Sequence, residues 1–277
     1  MVQGVKKLEN IKHIVCVASG KGGVGKSTTA ANLALALSAQ GLAVGLLDAD
    51  IYGPSLPLVM GIAAGTRPEI RDKRLMVPLR AHGIECNSMG FLVDERTAMV
   101  WRAPMVVSAF TQILTDTAWS ALDYLIIDMP PGTGDIQLSL AQTVVVRGAV
   151  IVTTPQDIAL SDARKGIEMF NKVGVPVLGV VENMSVHTCS NCGHAEAIFG
   201  SGGGERLAQD YGVDVIGRLP LDIKIREQTD LGVPVVASSQ YPKLQEAYAE
   251  LARGVNAQAL AHEAHANASP TISIADD

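Results

Sequence analysis

Short, nearly unbroken apolar runs alternate along the chain with longer stretches in which apolar residues recur every three or four positions. HIVCVAS (His13 to Ser19) precedes the helix-like KSTTAANLALALSAQG, and VGLLDAD follows. Further on, WRAPMVVSAFTQILTDT, DIQLSLAQTV, ALSDARKGIEMFNKVG and GERLAQDYG read as helices. Between and after them, YLIIDMP, AVIVTTP, PVLGVVENM and DVIGRLP read as strands. Runs that are apolar throughout suit strands buried on both faces, and their alternation with helices predicts an α/β fold. The expected architecture is a doubly wound, mainly parallel sheet flanked by helices.

The rhythm breaks between Gly53 and Asp94, where RPEIRDKRLMVPL resembles a small hairpin and HGIECNSMGF another strand. A last amphipathic helix is expected after Tyr241. Residues 1–266 read as a single domain, and the polar residues 267–277 as a disordered tail.

Composition narrows the partners. The 277 residues are 48% hydrophobic but only 4% aromatic, so Val, Ile, Leu and Ala must fill the core. With a net charge of −6 and no long Lys/Arg run, a nucleic-acid partner is not expected. No apolar run approaches the ~20 residues that span a bilayer, and no secretory signal opens the chain. A cytoplasmic protein without a membrane partner is the expectation. In that reducing compartment Cys16, Cys86, Cys189 and Cys192 are free thiols or metal ligands by default.

Gly20-Lys21-Gly22-Gly23-Val24-Gly25-Lys26-Ser27 matches the phosphate-loop pattern G-x-x-x-x-G-K-[ST], between an apolar strand and a long helical pattern. Its glycines let successive backbone N–H groups face phosphate oxygens, and the helix N-terminus adds partial positive charge. Lys26 is placed to reach the β- and γ-phosphates and the Ser27 hydroxyl to ligate Mg2+, with Thr28 completing the set.

Lys21 is surplus to that pattern. KGGVGKS resembles the deviant Walker A loop of the family containing MinD, ParA and the nitrogenase iron protein. The resemblance implies that Lys21 reaches across a homodimer interface to the partner's nucleotide, in the manner of an arginine finger. It also implies that Asp50 opens the first switch loop, holds the attacking water and stands near the metal, while Asp48 supports the loop. Asp128, ending YLIID, is the Walker B carboxylate that holds the water shell of Mg2+. Gly132 and Asp135 belong to a second switch, DMPPGTGD. The N-K-x-D signature of GTPases does not follow a late strand, which favours ATP; Asn183, Pro220 and Asp222 are adenine contacts by resemblance.

Cys189-x-x-Cys192-Gly193 supplies two thiolates, whereas a zinc or iron–sulfur site usually takes four ligands. Four readings are open: plain loop cysteines, a redox pair, a zinc site with His187 and His194, or a metal cluster shared by two chains. In the last, a two-fold axis sets two such knuckles face to face and supplies four thiolates. Cys16 and Cys86 read as buried small hydrophobes.

LLDADIYGPSLP, LDYLIIDMPPGTGDIQLSLAQ, VVENMS followed by CxxC, IFGSGGGERLA and GRLPLD together resemble the Mrp/ApbC family of iron–sulfur cluster carrier ATPases, from about Ile14 to Ala252. That resemblance implies a homodimer that hydrolyses ATP, bridges a [4Fe-4S] cluster through Cys189 and Cys192, and passes it to apoproteins. Two features depart from the family pattern. Only about a dozen residues precede the first strand, and VHTCSNCG has no aromatic residue before its first cysteine. A positioning ATPase of the MinD or ParA kind, with structural zinc at the CxxC, is the alternative. The stretch after Arg253 contains no Lys or Arg, unlike a basic membrane-binding helix.

Overall fold

The computed structural model describes residues 8–92 and 102–268. Trp101, at the head of an expected helix, and residues 269–277 of the expected tail lie outside them.

Strand β1 (Ile11–Ala18) enters the phosphate loop and helix α1 (Lys26–Ala39) leaves it. Then come β2 (Val44–Asp48), a single turn of helix α2 (Leu56–Val59), and the hairpin of β3 (Ile70–Arg71) with β4 (Leu75–Met76). Strands β5 (Leu79–Ala81) and β6 (Ile84–Ser88) precede α3 (Ala103–Asp116), β7 (Leu122–Asp128) and α4 (Asp135–Thr143). The chain continues through β8 (Gly148–Thr153), α5 (Asp157–Lys172) and β9 (Val177–Glu182). A two-stranded hairpin of β10 (His187–Thr188) and β11 (Ala195–Glu196) carries the two vicinal thiols. Helix α6 (Gly203–Tyr211), β12 (Val215–Arg218), α7 (Ile223–Asp230) and α8 (Pro242–Ala268) complete the described chain. Helix α8 includes Asn267 and Ala268, which the sequence assigned to the tail, so helical backbone runs two residues further than expected.

One eight-stranded sheet has the order β12-β9-β8-β1-β7-β2-β6-β5, and β5, at an edge, alone runs antiparallel to its neighbour. Alternate residues explain the continuous apolar runs. Cys16 and Ala18 of β1 face one layer of core and Val15 and Val17 the other. Helices α3, α4, α5 and α6 pack on the first face; α1, α2 and α8 pack on the second. Helix α1 is buried around most of its circumference, from Ala30 to Leu37, because the sheet covers one side and α8 another. Small residues in ANLALAL permit that double packing.

In this order β1, β7 and β2 are neighbours, so their C-terminal ends form one edge of the sheet. Asp48 of β2 is in register with Asp128 of β7. The phosphate loop, both switch segments and both carboxylates therefore open into one crevice, as strand ends do in doubly wound sheets.

Candidate functional site

The phosphate loop is held from three sides. Gly20 comes so close to α5 that a Cβ would fall 2.1 Å from the Asp162 backbone. Gly25, the α1 N-cap, has φ +80°, and a Cβ there would meet the Asn183 side-chain nitrogen at 2.3 Å. A glycine is required at both positions for these reasons. Asn183, buried at the end of β9, donates its Nδ2 hydrogen to the Val24 carbonyl at 2.8 Å. The residue expected against adenine thus also braces the loop, and its Oδ1 and second Nδ2 hydrogen stay available to a ligand.

Lys26 is buried, and its Nζ lies 2.5 Å from Asp128 Oδ1 and 3.2 Å from Ser27 Oγ. Burial pushes the Asp128 carboxyl above its ordinary value, while the Lys26 charge and hydrogen bond pull it back. Asp128 Oδ2 is buried with no hydrogen-bond partner. An ionised oxygen left so costs several kcal/mol unless a cation or water meets it. With the Ser27 hydroxyl within hydrogen-bonding reach of the same carboxylate, this donor set fits a hard divalent cation such as Mg2+.

Asp48 is fully buried and is not free for chemistry. Its Oδ1 accepts from the Asp50 N–H, and its Oδ2 accepts from the Leu56 N–H and the Ser88 hydroxyl. These bonds fold the segment after β2 back onto the sheet. Burial and then the Asp128 charge push the Asp48 carboxyl up to about 7, against the pull of those donors. Asp50, half-buried, accepts from the Tyr52 and Gly53 N–H groups through Oδ1.

On the other side, Gln137 of α4 donates to the Pro130 and Gly132 carbonyls and staples the second switch. The Gly132 N–H of that switch donates to the Ser19 carbonyl. Asp135 is exposed at the start of α4. Asp50, Tyr52, Pro130, Pro131 and Gln137 line a cavity of about 450 Å³ between the two switches. Among the described residues Lys21 pairs with no carboxylate, and its backbone carbonyl accepts from Ser19 Oγ. Ser88 and Gln137 were missed by sequence reasoning: Ser88 faces Asp48 only through strand register, which local periodicity does not reveal.

Pro220 and Asp222 flank Leu221 on the far side of Asn183. The Asp222 carboxylate caps α7 by accepting from the Lys224 N–H, so one of its oxygens is committed.

Beyond Asn183 the chain runs to the thiols. In the β10–β11 hairpin the Cys189 N–H donates to the His194 carbonyl and the Gly193 N–H to the Cys189 carbonyl. Gly193 has φ +73°, which turns the backbone under the sulfurs. Backbone N–H groups of Cys192 and Asn191, then the Cys192 thiol, hold the Cys189 thiol below its ordinary value. Cys192 is exposed and Cys189 half-buried, whereas Cys16 and Cys86 are buried as expected. No group of three or more His, Cys, Asp or Glu side chains among the described residues is arranged to hold a metal. The zinc set of Cys189, Cys192, His187 and His194 is therefore not assembled within one chain. His187 turns its Nδ1 to the Leu221 carbonyl at 3.0 Å instead.

A phosphate loop between β1 and α1, a buried lysine–carboxylate pair and two switch segments in one sheet-end crevice define a P-loop NTPase, and with it an ATPase. Residues 10–256 match the family model described as NUBPL iron-transfer P-loop NTPase, in the ParA group, and the chain belongs to that family. It is 65% identical over 245 residues to the iron–sulfur cluster carrier protein of Pseudomonas fragi, covering 88% of this chain and 85% of that one. It is 58% identical over 251 residues to the protein of that name from Escherichia coli K12, covering 91% and 68%. The iron–sulfur cluster transfer protein NUBPL of Mus musculus is 54% identical over 252 residues, covering 90% and 78%. Among solved structures, a nucleotide-binding protein from Archaeoglobus fulgidus in complex with ADP superposes with a TM-score of 0.71 at 38% identity. That match covers 82% of this chain and 88% of the other. The cell-division ATPase MinD of Pyrococcus furiosus shares the fold, with a TM-score of 0.66 at 24% identity over 88% of this chain and 98% of that one. No helix among the described residues is long and apolar enough to cross a membrane.

Proposed function

We propose that this ATPase binds an iron–sulfur cluster between two copies of itself and delivers it to apoproteins, with ATP controlling the homodimer. The observation that carries the reading is the thiol hairpin. It presents two cysteines, one with a depressed thiol pKa, and no third ligand is assembled beside them among the described residues. Two thiolates leave a cluster half-ligated, and a second copy supplies the other pair. The names of the relatives from Pseudomonas fragi and Escherichia coli support a carrier function.

The cluster is cargo. Transfer is a ligand exchange: iron–sulfur bonds to Cys189 and Cys192 break as bonds to the recipient's thiolates form, and no electron is gained or lost. In hydrolysis, water attacks the γ-phosphorus and the bond to the β,γ-bridging oxygen breaks. ADP and phosphate leave. Lys26 binds the phosphates, Asp50 orients the water, and Lys21 of each copy neutralises charge on the partner's transferring phosphoryl group. Ser27 and Asp128 would hold Mg2+, which when bound offsets charge on the β- and γ-oxygens.

Anaerobic reconstitution with iron and sulfide, with metal counted against mass by sedimentation, tests the reading. The expected result is a [4Fe-4S] cluster, about four irons for every two chains. A metal bound stoichiometrically to a chain that stays monomeric refutes it.

A further inference from the structure

The phosphate loop and the segment 219–222 both bear on the backbone that leads to the thiols. At the phosphate end, Asn183 Nδ2 holds the Val24 carbonyl. In the second segment, Leu221, between Pro220 and Asp222, donates its N–H to the Val186 carbonyl and accepts from His187 at its own carbonyl. Leu219, two residues earlier, accepts from both the N–H and the Oγ of Ser185 and donates to the Glu182 carbonyl. Cys189 follows Asn183 by six positions, and no residue between them lacks a tie to one of these two anchors except Met184 and Thr188.

Met184 stands out within this segment. It has φ +56°, a left-handed conformation that a long aliphatic side chain rarely holds. The other non-glycine residues of positive φ, Asp72, Lys73 and His82, sit at the tips of the β3–β4 and β5–β6 hairpins. Met184 instead follows β9, an interior strand of the sheet. Its neighbours are clamped on both sides, Asn183 N–H to the Thr153 carbonyl and Ser185 N–H to the Leu219 carbonyl. Its terminal methyl lies 3.8 Å from the point where a side chain on Gly25 would begin. Asn183 thus bonds the phosphate loop directly, and the Met184 methyl lies beside the open face of Gly25.

We propose that Met184 is a positioning residue through which nucleotide on the phosphate loop sets the exposure and geometry of Cys189 and Cys192. The inference rests on the carrier reading and deepens it, naming the link by which ATP regulates the cluster site. The left-handed and right-handed basins of a non-glycine residue are discrete, so Met184 provides a two-state element and not a continuously flexible joint. When phosphates draw the Val24–Gly25 backbone around them, the amide of Asn183 and the methyl of Met184 lose or gain their seats. The bend then changes basin, and the strand-like segment beyond it re-aims the β10–β11 hairpin. A ligand that favours one basin shifts the population by its differential affinity alone.

The test reads thiol alkylation by iodoacetamide in the metal-free, reduced full chain, with mass spectrometry assigning each site. Cys16 and Cys86 are enclosed and serve as internal controls. Saturating Mg-ADP, or Mg2+ with a non-hydrolysable ATP analogue, is expected to change the alkylation rate of Cys189 or Cys192 by about fivefold or more. Met184→Gly, which makes the left-handed basin free of strain, is expected to bring that ratio close to one while nucleotide still saturates the chain, its affinity shifted by no more than the lost coupling. Met184→Leu keeps an apolar contact to Gly25 and is expected to keep the response. An unchanged alkylation rate in the wild-type chain overturns the proposal, as does a full response in Met184→Gly. Neither outcome depends on cluster binding, so reconstitution of the wild-type chain fails or succeeds separately.

Discussion

The Lys26 ammonium lies 2.5 Å from Asp128 Oδ1, and both side chains are buried. In the proposed mechanism this pair joins the residue that clamps phosphate to the carboxylate that would hold the metal. Lys26→Ala should weaken ATP binding about 10- to 100-fold, the value of losing a charge-assisted hydrogen bond of roughly 1.5–3 kcal/mol. It also strands a buried carboxylate, at a cost of roughly 3–5 kcal/mol in stability. Isothermal titration and denaturant unfolding of the same variant measure the two effects.

Lys21 should separate from Lys26 in kinetics. Lys21→Ala is expected to slow ATP hydrolysis by at least ~100-fold and to affect nucleotide affinity far less, since a cation supplied in trans acts chiefly in the transition state. Steady-state hydrolysis beside equilibrium binding decides it. Hydrolysis equal to wild type removes the trans role.

Cys189→Ala and Cys192→Ala should each abolish stable cluster binding and leave ATP affinity within about twofold, because the hairpin forms a two-stranded sheet separate from the one that carries the phosphate loop. Visible absorption after anaerobic reconstitution, beside nucleotide titration, checks both halves. Cluster content undiminished in both variants rejects the assignment.

Gly25→Ala tests the loop's geometry. The left-handed backbone alone costs a residue with a Cβ about 1–2 kcal/mol. The added carbon would also lie 2.3 Å from Asn183 Nδ2, so the bond to Val24 must break or the loop must move. Nucleotide binding should be lost while the far-UV circular dichroism of the sheet and helices is retained.

His13 offers a pH signature remote from the nucleotide. Its ring sits 5.0 Å from that of Tyr124, and burial chiefly lowers its pKa from the ordinary 6.5, against the pull of Glu263. The unfolded chain therefore binds this proton more readily than the native one. Stability should fall as pH drops below about 6.5 and level off once the native ring is also protonated, with a slope of at most ~1.4 kcal/mol per pH unit. His13→Phe should flatten the wild-type curve across that window. Urea midpoints between pH 7.5 and 5 measure it.

The parallel core was legible because Val, Ile, Leu and Ala fill both faces of each central strand, and that pattern survives in local sequence. Helix α7 was not: none of its residues is buried, so IKIREQTD carries no apolar period to read. The phosphate loop and Asp128 were legible from motif and strand-end position. The roles of Ser88 and Gln137 depend on strand register and on the fold of a turn, which no residue type announces. Asn183 was legible as a residue at a strand end, but its bond to the phosphate loop was not: only the close approach of Gly25 explains why its amide meets Val24. Met184 was invisible, since a left-handed methionine has no compositional mark.

The order of strands has a consequence for how the chain comes into being on the ribosome. Strand β1 pairs on one side with β7, Ile11 opposite Leu122, and on the other with β8, Ala18 opposite Ile151. More than a hundred residues must be synthesised before the first strand finds either flank, and such distant pairings form slowly. Nascent chains stalled before β8 emerges should fail to retain ATP, so the ability to hold nucleotide arrives late and marks a chain whose central sheet has closed.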